Sequence, residues 1–152
     1  MQRLVTLVLA AAALLAGQAG AGALTGLEGS WRTVRHGADV EIRDCGDGSP
    51  CGYLVAVNAQ VTGGRHLDER NPDAALRARP LAGLPLMWGF ASARQGWQGG
   101  RLYNPETGQT FRASMTLISA DQLRVRGCLG PLCRAQVWTR IDTRTAKGPQ
   151  DE

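Results

Sequence analysis

"QTFRASMTL", residues 109–117, decides the fold. Phe111, Ala113, Met115 and Leu117 recur at every second position, with Thr110, Arg112, Ser114 and Thr116 between them. Side chains of an extended strand alternate between faces, so this stretch has one dry face and one wet face, the signature of an antiparallel sheet packed on one side. The same period extends outward in both directions. Towards the C-terminus follow "DQLRVRG" (121–127) and "RAQVWTRI" (134–141). Towards the N-terminus lie "WQGGRLYN" (97–104), "LPLMWGFAS" (84–92), "GYLVAVNA" (52–59), "DVEIRD" (39–44) and "SWRTVRH" (30–36). The intervening "HGAD", "NPETGQ" and "ISAD" are short and rich in turn-forming residues. Within the fifth strand, Gly99-Gly100 marks a bulge or a close backbone approach. Eight antiparallel strands in simple succession predict an all-β, up-and-down barrel, which leaves no sheet edge unpaired. A two-sheet sandwich is the alternative.

The chain begins with a leader. Arg3 gives a short positive start, Leu4 to Ala16 an apolar run, and "AGA" occurs at 19–21 and again at 21–23. This is the pattern of a secretory signal with a small-residue cleavage site, too short to span a bilayer. Residues 1–23 are therefore expected to be removed, leaving no membrane anchor, one barrel domain over 24–141, and a tail over 142–152 that lacks apolar anchors. Export is expected to place the protein in the periplasm. The 17 basic and 13 acidic residues give a formal net charge of +4, carried almost wholly by single, scattered arginines. No basic helix or run of stacking aromatics points to nucleic acid, and the charge reads as a solvated surface.

Cys45 and Cys51 bracket "GDGSP", and Cys128 and Cys133 bracket "LGPL". Each pair closes the mouth of an expected hairpin. Behind a leader, an even cysteine count reads as disulfides. Of the three pairings open to four cysteines, the local one, 45–51 and 128–133, is expected, with the bridges at opposite ends of the barrel. Neither spacing matches a zinc-binding C-x2-C, and no metal or cofactor is expected.

With strands alternating in direction, the end of the eighth returns to the start of the first. That brings Arg140 to Trp31, where a guanidinium over an indole is favourable by about 1 kcal/mol. Gly29-Ser30-Trp31 with Arg140 is similar to the lipocalin and calycin pattern, in which a G-x-W on the first strand meets an arginine from the last at the closed end. "NPDAALRARPLAGL", "WQGGRLYNPETGQTF", "LRVRGCLG" and "VWTR" resemble the bacterial exported family called domain of unknown function 2147, from about Gly29 to Arg140. Arg70 stands where that family often has Lys, and Phe111 where it often has Tyr. The resemblance implies a periplasmic, lipocalin-like domain and implies no activity.

The connection from the third strand to the fourth is the exception to the hairpin rule. In "HLDERNPDAALRARPLAGLPL" (66–86), Asn71 can cap a helix that starts at Pro72, with Asp73 at its positive end, and Pro80 stops it after Arg79. Two turns of helix do not stand alone in water, so Leu76, Leu81 and Leu84 are expected to dock on the barrel. The topology puts this segment at the open end. There it reads either as a lid, with Asp68, Arg70 and Asn71 as its polar hinge, or as a fixed cap that completes the core.

No nucleophile elbow, zincin or phosphate-binding motif occurs, and His36 and His66 read as unrelated loop histidines. Three functions follow in order. The first is a monomeric, non-enzymatic binder of a small apolar or amphiphilic ligand. The second is an envelope structural or interaction protein with a filled barrel. The third is an envelope enzyme using the loops at the open end.

Overall fold

The computed structural model describes residues 24–141; the expected leader and tail lie outside the described residues. Nine strands are formed: β1 (Gly29–Arg32), β2 (Asp39–Asp44), β3 (Pro50–Ala56), β4 (Pro85–Trp88), β5 (Ala91–Ala93), β6 (Gly96–Asn104), β7 (Gln109–Ser119), β8 (Gln122–Leu129) and β9 (Leu132–Arg140). Their order is β4-β3-β2-β1-β9-β8-β7-β6-β5, and β4 also pairs with β6. Eight strands therefore close an antiparallel, lipocalin-like barrel, and β5 adds a short ninth along β6.

The ninth strand arises where the sequence suggests one continuous run over 84–92. Gly89 takes a left-handed φ of 72°, breaking that run between β4 and β5. Opposite it, Gly99 has φ 73° and the β6–β7 register shifts between Trp97 and Gly100. Phe90 enters this gap and is buried. A Cβ on Gly100 would lie 2.4 Å from the Phe90 ring, so the second glycine of the pair makes room for an aromatic group. Two other expected boundaries move. β1 stops at Arg32 rather than 36, because the chain turns: the Thr33 amide donates to Ala38 O, its hydroxyl accepts from the Ala38 amide, and its carbonyl accepts from the Gly37 amide. β3 stops at Ala56, and a helical turn, α1 (Ala59–Thr62), follows, capped by the Asn58 side chain.

The inward faces meet in one core: Trp31 from β1, Val40 and Ile42 from β2, Leu54 from β3, Ala113 and Met115 from β7, Leu123 and Val125 from β8, and Trp138 from β9. At the lower end, Trp31 is fully buried and pairs in register with Arg140. The Arg140 guanidinium lies 4.2 Å from the centre of the Trp31 rings. It donates to Ala120 O at 2.6 Å, to Glu28 O at 2.9 Å, and to Gly26 O. Trp31 Nε1 donates to Leu27 O at 2.9 Å. One arginine thus ties the turn before β1, the β7–β8 turn and the β1–β9 seam into a closed floor, with Leu24 and Leu27 buried in it. Gly29, with φ 122°, is required there: a Cβ would come within 2.8 Å of that guanidinium.

The two disulfides are Cys45–Cys51 and Cys128–Cys133. The first closes the β2–β3 turn at the lower end. The second joins facing residues of β8 and β9 near the upper turn.

Candidate functional site

The upper end is open. A cavity of about 180 Å3 enters the barrel there. Its walls are apolar: Leu54 of β3, Leu81, Leu86 of β4, Leu102 of β6, Phe111 of β7, Val125 of β8 and Trp138 of β9. Gly127 adds space, since a side chain at that position would point towards Phe111 and Leu102. Polar groups surround the entrance: Arg35 and His36 from the turn after β1, Asn58 before α1, Glu106 from the β6–β7 turn, and Arg134 and Gln136 from β9. The Trp138 ring is buried and its indole N–H has no acceptor within the protein, which leaves one buried donor on an otherwise apolar wall.

The segment between α1 and β4 does not form the expected helix. Its only helical piece is a 3-10 turn, Ala74–Leu76, capped by Asp73 rather than Asn71. No helix over 72–79 propagates, because the Ala75 amide donates to the Asp73 side chain and the Arg77 guanidinium donates to Asn71 O. The capping bond of Asn71 is nevertheless made. Its Oδ1 accepts from the Asp73 amide at 2.9 Å, while Nδ2 donates to Asp68 Oδ2 at 2.8 Å and to the Tyr103 hydroxyl at 3.2 Å. Leu76, expected to dock, is 38% exposed, because a three-residue turn offers no continuous apolar face; Leu81 and Leu84 are buried.

Asp68 is the hub of this segment and is completely buried. Its carboxylate accepts from the Tyr103 hydroxyl at 2.6 Å, from Asn71, and from Arg79 Nε at 2.9 Å, with Arg79 Nη2 also at 2.9 Å. Tyr103 is buried at the upper end of β6 and, like its neighbour Leu102, is among the residues that line the cavity. The segment is therefore clamped against the β6–β7 hairpin. Arg70 reinforces the clamp by donating to Glu106 O, and Arg65 pairs with the Glu106 carboxylate at 3.2 Å. Gly108, with φ 71°, is needed for the approach: a Cβ would lie 2.1 Å from Arg70 O, with Pro72 next to it. The chain then folds back through Leu67–Pro80 bridge pairing, and Leu81 enters the cavity wall. Of the residues singled out for this segment, Asp68, Arg70, Asn71, Pro72 and Asp73 are brought together as a clamp, Leu76 faces outward, and Leu81 alone lines the cavity.

Burial first, and then the hydrogen bond to Asp68 and its charge, push the Tyr103 phenol up to about 12. The fold therefore favours the protonated phenol. Its contribution is complete below the unfolded value of about 10 and is lost as pH rises through about 12, a difference of about 2–3 kcal/mol. In urea unfolding, the wild-type protein should lose that much more stability between these pH values than Tyr103→Phe does. Equal losses in the two proteins would show that the phenol is not held in this way.

Among the described residues, no group of three or more His, Cys, Asp or Glu side chains is placed to hold a metal ion. His36 lies at the cavity mouth, while His66 lies in the clamped segment, its carbonyl accepting from the Leu81 amide. Much of the cavity lining (Leu54, Leu86, Leu102, Val125, Gln136 and Trp138) was not singled out from the sequence as site residues. The signal was partial: Leu54, Leu86 and Leu102 lie towards the upper ends of their strands, whereas Val125 and Gln136 are mid-strand and Trp138 lies towards the lower end of β9.

Among solved structures, the fold is similar to protein HP1028 from the human pathogen Helicobacter pylori, described as belonging to the lipocalin family. The TM-score is 0.67 and the identity 21%, over 78% of this chain and 85% of that one. No curated protein matches the sequence. The family model for "Uncharacterized protein conserved in bacteria (DUF2147)" matches residues 29–140, which span the barrel from Gly29 at its floor to Arg140 beside it, and the chain belongs to that family.

Proposed function

We propose that this protein is an exported, non-enzymatic binder of a small amphiphilic molecule, held with its apolar part in the barrel and its polar part at the open end. The observation that carries this reading is the cavity of about 180 Å3, apolar within and polar at its entrance. An eight-stranded barrel is wide enough either to be filled by side chains or to hold one small ligand. The remaining space favours the second use over a filled structural barrel. A dry apolar cavity of about 150 Å3 holds a benzene ring in another protein core. The space here suits a single ring or a medium alkyl chain, and is smaller than the roughly 300–1,000 Å3 of typical ligand sites. The bound molecule therefore extends out of the mouth. The clamped segment over 66–81 acts as a fixed wall rather than as a moving lid, a reading supported by the buried Asp68 hub. Export to the periplasm is supported by the leader-like N-terminus and by the two disulfides, which persist in oxidising compartments.

Native mass spectrometry of protein recovered from the periplasm tests the reading. The wild type should carry a noncovalent small-molecule adduct that organic extraction removes. Gly127→Leu, which fills the cavity beside Phe111 and Leu102, should be recovered without it. A wild type that is bare and takes up no amphiphile, or equal loading of the two proteins, would overturn the proposal.

A further inference from the structure

Most of the arginines around this barrel have partners. Arg32 pairs with Asp39, Arg65 with Glu106 and Arg79 with Asp68. Arg70 and Arg77 donate to the carbonyls of Glu106 and Asn71. Arg43 lies over the Tyr53 ring, and Arg140 holds the floor. Six arginines among the described residues, Arg35, Arg94, Arg112, Arg124, Arg126 and Arg134, have neither a hydrogen bond nor a carboxylate partner, and of these only Arg35 and Arg134 line the cavity. Both lie at the mouth of the cavity.

Their position follows from the seam between the first and last strands. β1 pairs with β9 only at Trp31–Arg140 and Arg32–Thr139. Above that point β1 turns away, and a groove lined by Val34, Arg35, Arg134, Ala135, Gln136 and Val137 opens between the strands. Arg35, Arg134 and Gln136 line both this groove and the cavity, so the two spaces adjoin at these residues. The acidic side chain at the mouth, Glu106, is already neutralised by Arg65 at 3.2 Å. The entrance therefore carries two uncompensated positive charges, with the Gln136 amide beside them, above an apolar interior.

We infer that the ligand is a single-chain amphiphile with an anionic head, its tail packed among Leu54, Leu102, Phe111, Val125 and Trp138 and its head bound by Arg35 and Arg134. The inference rests on the binding function proposed above and specifies the ligand class for that site. Guanidinium groups bind carboxylate and phosphate oxygens through paired N–H donors, which a neutral or cationic head cannot exploit. Both arginines are exposed, so water and salt weaken their effect.

Three probes share one tail and differ in head charge: octanoate, octan-1-ol and octyltrimethylammonium. Binding is measured at neutral pH by calorimetry, with wild type, Arg35→Ala/Arg134→Ala and Gly127→Leu. The expected order is octanoate, then octanol at about tenfold weaker affinity, then the cation, weaker again. The double arginine variant should bring octanoate down to the octanol level while leaving octanol unchanged, and high salt should do the same. Thermal unfolding checks that the double variant remains folded. If octanol binds as tightly as octanoate, or if the preference survives loss of both arginines, the anionic-head assignment is overturned while the binding function stands. If none of the three probes binds, or if Gly127→Leu binds them as the wild type does, the binding function fails, and the head assignment fails with it.

Discussion

Trp31→Ala is expected to lower the unfolding free energy by about 3–5 kcal/mol, the range for truncating a fully buried aromatic side chain. The value should lie in the upper part of that range, because three contributions are lost together. The indole is completely buried, so its removal leaves a void between the floor and the core. Its Nε1 donation to Leu27 O goes, freeing the turn that seals the lower end. The Arg140 guanidinium, 4.2 Å from the rings, loses the face against which it stacks. Arg140 itself retains its three carbonyl acceptors, so the floor loosens without exposing an unpaired charge. Trp31→Phe separates the terms: it keeps most of the packing and should cost about 1 kcal/mol for the lost hydrogen bond together with a smaller packing loss. Urea unfolding with an unchanged slope provides the measurement. A loss below 1 kcal/mol for the alanine variant would mean that the floor does not depend on this residue. The cavity is at the opposite end, so ligand affinity at temperatures where the variant is folded should change little.

The barrel was legible because its determinants are periodic and local. Alternation in residues 109–117 assigns faces with no reference to the rest of the chain. The G-x-W motif and Arg140 could be brought together by counting strand directions alone. The strand breaks were harder to read. "LPLMWGFAS" reads as one strand, because Leu, Met, Trp and Phe all suit an extended conformation. Only the packing of Phe90 against Gly100, on another strand, makes the chain kink at Gly89. A glycine pair in β6 showed that something approaches there, but not which side chain does so.

The long connection departs from its local signals for a related reason. Asn71-Pro72-Asp73 carries strong helix-start chemistry, yet capping is a local preference worth about 1 kcal/mol. The competing demand came from Tyr103, 32 residues away, whose hydroxyl accepts from Asn71 and donates to the buried Asp68. Asn71 keeps its capping bond to the Asp73 amide through Oδ1 while Nδ2 joins the buried carboxylate, and the charge-assisted partners of that carboxylate hold the following residues in the clamp rather than in a helix. The cavity was hidden for a third reason. Its walls are ordinary core residues, and what makes them a site is the space left at Gly127 and the parting of β1 from β9, neither of which has a sequence motif.

Asp68→Ala is the second large effect, at about 3–5 kcal/mol, the cost of removing one partner from a buried ion pair. The substitution leaves Arg79 without a counter-charge and the Tyr103 hydroxyl without its acceptor, and Asn71 Nδ2 keeps only its 3.2 Å contact to Tyr103. Arg79 is about one-third exposed and can turn to water, whereas Tyr103 is buried. The loss should therefore be concentrated in the clamped segment. Hydrogen exchange gives the resolved readout. In the wild type, the amides of Asp68, bonded to Arg79 O, and Leu81, bonded to His66 O, should exchange nearly as slowly as the barrel strands. In Asp68→Ala both should become fast, while the amides of β7 and β8 stay slow. Asp68→Asn tests whether charge or geometry matters, since its amide oxygen can still accept from Tyr103 but carries no charge for Arg79. It should fall between the other two. If the wild-type segment exchanges fast and slows only when octanoate is bound, it is a lid rather than a wall. If Asp68→Ala leaves exchange at Leu81 unchanged, the buried carboxylate is not what fixes that side of the cavity.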